Sequence, residues 1–164
     1  MKEEFIDKIT AHEAIIYKVC KMYCHSSEDR QDLFQDIVLQ LWKAFPKFRK
    51  EARLSTWMYR IALNTAITRL RKETKKPLPQ DIDQDILQIP SPDLSVEEEL
   101  FSSMMQAIDR LSDVEKAITL LYLEEQSYKE IAQVMGISES NVGYKINRIK
   151  SKLKNTIQKI HDGA

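Results

Sequence analysis

An all-α fold is predicted for this chain: two small helical domains joined by an acidic, proline-containing linker, the second domain carrying a helix-turn-helix. Three observations predict it. Apolar residues recur every three or four positions on both sides of residues 75–95, and no convincing strand-like alternation is present. Glycine occurs only 3 times, which disfavours glycine-rich nucleotide loops and turn-rich β folds. Four of the five prolines (Pro77, Pro79, Pro90, Pro92) fall in that one segment, where a residue without an N–H opposes helix continuation.

The expected first domain is 1–74. Ala11, Ile15, Val19 and Met22 recur at helical spacing, and so do Leu33, Ile37, Leu41 and Phe45, after which Pro46 should stop the helix. A further helix fits residues 55–73. With about 100° of rotation per residue, Tyr59, Ala62, Leu63, Ala66, Ile67 and Leu70 share one side, while Arg60, Asn64, Thr68 and Arg71 line the other. Trp57 and Ile61 fall among those polar groups, where a neighbouring helix or the preceding loop would cover them, unless Trp57 flanks a ligand. The expected linker is 75–95. It carries Asp81, Asp83, Asp85 and Asp93, with scattered Ile82, Ile86, Leu87 and Ile89 that could dock elsewhere.

The expected second domain is 96–164. Ser95-Val-Glu-Glu98, Ser112-Asp-Val-Glu115 and Ser127-Tyr-Lys-Glu130 read as capping boxes: the serine oxygen accepts from a free N–H at the helix start and the glutamate reaches back. Ser138 marks a fourth start. Between the last two starts, Ile131 and Met135 flank small Ala132, which permits close helix approach. Gly136 suits a left-handed C-cap, and Val142, Ile146, Ile149 and Leu153 continue an apolar stripe. The opposite face of the second helix holds Ser140, Asn141, Tyr144, Lys145, Arg148 and Lys152. Asn and Arg can read base edges while Lys and Ser hold phosphates, as a helix in a DNA major groove requires.

The net charge is zero but segregated. Residues 41–76 hold 11 basic and 2 acidic side chains, residues 77–100 hold 7 acidic and none basic, and residues 126–160 hold 7 basic and 2 acidic. Two basic blocks around an acidic one suggest polyanion contact or two solvated helix faces. The first block interleaves Phe48 and Trp57 with cations, a combination suited to single-stranded nucleic acid. No P-loop, Ser-His-Asp constellation or cluster of convergent carboxylates points to an enzyme. No apolar run exceeds four residues, so no membrane-spanning helix or secretory core is expected, and a soluble cytoplasmic protein is. Cys20 and Cys24 share a helix face near His12 and His25. They read as small buried hydrophobes, with a metal or redox pair as the other possibility.

With these motifs in view, the chain resembles the extracytoplasmic-function group of bacterial sigma factors, from about Ile6 to Ile157. Asp32-Leu-Phe-Gln-Asp36 with Trp42 and Phe45 resembles the family's polymerase-binding helix. Ser55-Thr-Trp-Met-Tyr-Arg-Ile-Ala62 with Asn64-Thr-Ala66 resembles its −10 recognition helix. Leu111-Ser-Asp with Leu120 and Tyr122, Tyr128-Lys-Glu-Ile-Ala132, Gly136-Ile-Ser138 and Asn141-Val142 resemble its −35-binding domain. Thr68 stands where the family commonly has aspartate, Leu63 where arginine is common, and Gly143-Tyr144-Lys145 replaces a basic-Ser-Arg run.

The resemblance implies a non-enzymatic initiation subunit that lends promoter specificity to core RNA polymerase, with no cofactor, metal or small-molecule substrate. Asp32, Gln35, Asp36, Leu39, Gln40 and Lys43 would meet the clamp helices of the largest polymerase subunit. Arg53, Ser55 and Thr56 would form a loop capturing an extruded −10 base, flanked by Trp57, with Arg60, Asn64, Thr68, Arg71 and Lys72 also facing the DNA. Lys129, Ser138, Ser140, Asn141, Tyr144, Lys145, Arg148 and Lys152 would serve the −35 element. The acidic linker would follow the path of nascent RNA through the polymerase, and an anti-sigma protein would be a further partner. The alternative is a stand-alone helix-turn-helix regulator, which has no need of the two N-terminal motifs.

Overall fold

The computed structural model describes residues 1–73 and 95–163, and the acidic linker expected at 75–95 lies outside the described residues except for Ser95. Among the described residues there are eight α-helices, one 3-10 turn and no strand. The N-terminal set comprises α1 (Lys2–Ala11), α2 (Glu13–Tyr23), α3 (Ser27–Ala44), the 3-10 turn Phe45–Lys47, and α4 (Leu54–Glu73). The C-terminal set comprises α5 (Val96–Asp109), α6 (Asp113–Leu123), α7 (Tyr128–Met135) and α8 (Glu139–Asp162).

In the N-terminal set, α2, α3 and α4 pack against one another. Their shared core is Ile16, Val19, Leu33, Ile37, Leu41, Met58, Ala62, Leu63 and Ala66, so the stripes on α3 and α4 point inward as their spacing requires. Ser26 caps α3 by accepting from the Asp29 N–H at 3.0 Å. Glu28 and Asp29 in the first turn and Lys43 in the last oppose the helix dipole favourably. Pro46 sits in the 3-10 turn that ends the helix. Phe45 is buried there, edge-on to Phe5 at 5.3 Å, and Phe5 in turn meets Trp42 edge-on at 5.1 Å. The apolar run from Ala11 to Met22 is not one helix. It breaks at His12, whose backbone (φ −122°, ψ 21°) leaves the helical region and whose N–H bonds the Ile9 carbonyl.

All four serine starts expected after the linker cap helices. Ser95, Ser112, Ser127 and Ser138 each accept from the backbone N–H three residues on, at 3.1–3.2 Å. Only Ser112 completes the reciprocal box, with Glu115 Oε1 accepting from the Ser112 N–H at 3.0 Å. Glu130 instead accepts from the Ser127 hydroxyl at 3.1 Å. Helix α8 packs on α5, α6 and α7. Ile108, Ala117, Ile118, Leu121, Ile131, Val142, Ile146 and Ile149 fill the space between them.

The two sets also touch. Helix α4 packs on α6 and α7, and α2 on α6. The Tyr23 hydroxyl donates to the Asp113 carbonyl at 2.6 Å, and Lys18 pairs with Glu124 at 2.7 Å. Tyr23 and Tyr59 are buried at this junction. Burial, with Glu124 nearby, pushes the Tyr59 phenol up to about 12.

Candidate nucleic-acid interface

The helix-turn-helix is built by its caps. Helix α7 ends at Gly136, which is left-handed (φ +68°), so that both Gly136 and Ile137 donate N–H groups to the Ala132 carbonyl. Ser138 then starts α8, and Val142, Ile146 and Ile149 bury its inner side. The outer side exposes Ser140, Tyr144, Arg148 and Lys152, with Asn141 and Lys145 half-buried beside them. Lys129 on α7 and the capping Ser138 are also exposed. The Arg148 guanidinium lies 5.8 Å from the centre of the Tyr144 ring, so the ring orients the cation.

Lys152 is already engaged: its ammonium meets Glu115 Oε2 at 2.8 Å. Burial raises the Glu115 carboxyl, but hydrogen bonds from Lys152 and Ser112 outweigh it and hold the group below the usual carboxylate range. One carboxylate therefore ties the start of α6 to the middle of α8.

In the N-terminal set, Arg60, Asn64, Thr68, Arg71 and Lys72 are exposed on the outer side of α4. Arg53 is exposed in the preceding loop, where Lys50 adopts φ +24°. Ser55 and Thr56 belong to the first turn of α4, because helical bonding already begins with the Trp57 N–H to the Arg53 carbonyl. This corrects their expected place in the loop. Ser55 is half-buried. Thr56 is only 3% exposed, with its hydroxyl unpaired among the described residues. Trp57 is half-buried beneath Phe48 of the loop at 4.8 Å, with Phe45 at 6.3 Å, so its ring is covered from within the chain.

Asp32, Gln35, Asp36, Leu39, Gln40 and Lys43 are all exposed along α3 and straddle two clefts. Gln35 and Leu39 edge an apolar cleft against α1, floored by Phe5, Phe34 and Val38, where Leu39 and Trp42 remain 47% and 41% exposed. Asp36 and Gln40 edge a second cleft of about 570 Å³ against α4, facing Asn64, Thr68 and Lys72. Residues expected to meet two different partners thus line one groove.

The sequence pattern does not mark two further contributors. Trp42 belongs to the motif on α3, but nothing local shows its exposure in the α1 cleft. Arg69 falls, by its helical angle, between the polar and apolar sides of α4. It joins α4 to α3, meeting Asp36 at 2.7 Å, Asp32 at 3.8 Å and Glu73 at 3.3 Å. Burial opposes its charge, but these carboxylates more than offset that and keep the guanidinium firmly protonated.

Cys20 and Cys24 are buried free thiols, and burial pushes both up, Cys20 to about 11. His12 bonds the Lys8 carbonyl through Nδ1 at 3.1 Å, and His25 is exposed. Among the described residues no three His, Cys, Asp or Glu side chains form a metal-ligating group. None of the described helices is long and apolar enough to cross a membrane.

Residues 9–76 match the Sigma-70 region 2 family and residues 102–153 match Sigma-70, region 4. The ECF RNA polymerase sigma-E factor of Escherichia coli K12 is 31% identical over 144 residues, covering 80% of this chain and 75% of its own length. The RNA polymerase sigma-H factor of Pseudomonas aeruginosa is 28% identical over 148 residues, covering 83% and 77%. Two solved structures share the fold. One is the sigma factor RpoE in complex with the anti-sigma factor NepR from Bartonella quintana (TM-score 0.64, 19% identity, 96% of each chain). The other is CnrH in complex with the cytosolic domain of CnrY (TM-score 0.66, 17% identity, 96% of this chain and 90% of that one). Region 2 and region 4 matches in order, together with the 31% identical sigma-E factor, make this chain a member of the extracytoplasmic-function sigma factors, which direct RNA polymerase to promoters and initiate transcription there.

Proposed function

We propose a division of that task among the surfaces described above. The outer face of α3, with Asp32, Gln35, Asp36, Leu39, Gln40 and Lys43, docks on the clamp helices of the largest polymerase subunit. Arg53 and the outer face of α4 (Arg60, Asn64, Thr68, Arg71 and Lys72) engage the −10 element as it melts. Lys129 and the exposed side of α8, with Arg148 as a base reader, occupy the −35 major groove. Ser138 and Ser55 serve mainly as helix-start residues, and Thr56 and Trp57 support the −10 face from beneath. The boundaries are those of the sequence: 1–74, an acidic linker 75–95 and 96–164, acting in the cytoplasm.

The single observation that carries this reading is the groove between α3 and α4. Asp36 and Gln40 on one wall face Asn64, Thr68 and Lys72 on the other. A polymerase surface docked on α3 would therefore lie against the same groove as the DNA. A stand-alone helix-turn-helix regulator is not retained, because region 2 covers the N-terminal half. An anti-sigma protein is a fitting partner. Both solved neighbours are described as bound to one or to a second chain's cytosolic domain, and here α5 leaves Val96 and Phe101 81% and 67% exposed.

The test separates the surfaces. Asp36→Ala with Gln40→Ala is expected to weaken binding to core polymerase. Asn64→Ala should leave that binding intact while reducing permanganate reactivity of melted −10 thymines. Loss of core binding from Asn64→Ala alone, with no effect from the α3 pair, would overturn the assignment.

A further inference from the structure

We propose that Arg69 is a positioning residue that couples polymerase docking to DNA binding by exchanging carboxylate partners. Its side chain is half-buried between α3 and α4, and its guanidinium meets three carboxylates: Asp36 at 2.7 Å, Asp32 at 3.8 Å and Glu73 at 3.3 Å. Two of the three belong to α3, on the face read as the polymerase-docking surface, and the inference rests on that reading. Arg69 also lines the cleft shared by Asn64, Thr68 and Lys72, on the face read as the −10 surface.

In the free chain Arg69 is neutralised, and Asp32 and Asp36 set negative charge beside the phosphate-facing side of α4. A cationic polymerase surface that takes up Asp32 and Asp36 removes both. Arg69 is then left with Glu73 alone, one turn along its own helix, and its remaining N–H groups can meet a phosphate in the cleft. Docking on α3 thereby makes α4 more cationic without any change of fold. A guanidinium suits this exchange because its fork can hold two oxygens at once and accepts phosphate as readily as carboxylate. By linkage, DNA bound on α4 then strengthens polymerase binding on α3 to the same degree.

The test is a mutant cycle on the full chain, read by fluorescence anisotropy with a fluorescein-labelled single-stranded oligonucleotide of mixed sequence. The four proteins are the unaltered chain, Arg69→Gln, Asp32→Asn with Asp36→Asn, and the triple variant. Alone, Arg69→Gln is expected to lower DNA affinity less than twofold and leave the salt slope unchanged, because the guanidinium's N–H groups are held by carboxylates and make no phosphate contact in that background. In the Asp32→Asn, Asp36→Asn background the same change should lower affinity about fivefold and shallow the salt slope by about 0.7, the signature of one lost phosphate contact on a single strand. Loss of two negative charges tightens binding on its own, but equally with or without Arg69, so the cycle removes it. The salt slope is a readout that a merely structural role would not move. Equal effects of Arg69→Gln in both backgrounds, or none in either, would overturn the exchange. Core polymerase affinity of the Asp32→Asn, Asp36→Asn chain is measured in parallel. If it is unchanged, the docking reading fails while the cycle still reports on masking of Arg69.

Discussion

Lys152 and Arg148 sit one turn apart on α8 and do different things. Lys152 closes an ion pair with Glu115, half-exposed on the lysine side. Lys152→Ala should therefore cost stability, by no more than about 1 kcal/mol for a pair of this exposure, and should weaken every DNA sequence alike. Among the described residues Arg148 has no such tie, and it is held over Tyr144. Arg148→Ala should cost roughly 1–3 kcal/mol in promoter affinity and relax selectivity at one position. Binding measured on a −35 element and on scrambled duplex separates the two, and equal sequence-independent losses would sink base reading by Arg148. Cys20 gives a prediction on pH. Its thiol rises from an ordinary 9.0 to about 11 in the fold because burial disfavours the thiolate. The stability this reflects is whole below the unfolded value and is lost as pH rises through the folded one. Thermal melting should thus fall between pH 9 and 11, and fall less in Cys20→Ala; identical pH profiles would contradict this. The outward side of α8 was legible from its spacing alone. The pairings of Lys152 and Arg69 were not, since each joins residues more than thirty positions apart.

Two glycines of the helix-turn-helix make opposite predictions. Gly136 lies at φ +68°, and a Cβ there would meet nothing within 4 Å, so the cost of Gly136→Ala is backbone strain alone, about 1–2 kcal/mol. Gly143 is inside α8, and a Cβ there would make ordinary contact with Tyr128 at 3.5 Å. Gly143→Ala should stabilise the domain by roughly 0.5–1 kcal/mol through helix propensity. Denaturant unfolding of the two variants checks both signs, and a stabilising Gly136→Ala would show that the turn is not left-handed in solution. Helix starts after the linker were readable because a cap is a contact between residues three apart. The end of α3 was readable because Pro46 forbids continuation. The break at His12 was hidden, since neither glycine nor proline marks it and the apolar spacing runs on across it. The cover over Trp57 was legible only as an alternative, because Phe48 and Phe45 reach it through tertiary packing.

At the scale of the molecule, the family and the two-domain helical plan were legible from motif order and charge. The contact between the halves was not, as nothing local encodes the meeting of Tyr23 with Asp113 or Lys18 with Glu124. That contact has a geometric consequence. Elements centred at −35 and −10 are about 25 base steps apart, or ~85 Å at about 3.4 Å each. A packed chain of 164 residues has a radius of gyration of ~15 Å, so it measures ~40 Å across. The packed arrangement cannot reach both elements, so engaging both requires the halves to part. Tyr23→Phe with Lys18→Ala should therefore lower energy transfer between dyes on α1 and α8 in the free chain and leave it unchanged in the polymerase-bound state. Equal transfer in variant and unaltered free chain would show that these contacts do not hold the halves together.

The most direct test of the whole account is transcription in vitro. Core polymerase free of any sigma factor is given fragmented genomic DNA from the source bacterium, with and without this chain. The account predicts discrete transcripts that depend on the chain, are lost with the Asp36→Ala, Gln40→Ala pair, and share upstream −35 and −10 elements. A chain that binds duplex DNA specifically, yet forms no complex with core polymerase and starts no transcript, would contradict it.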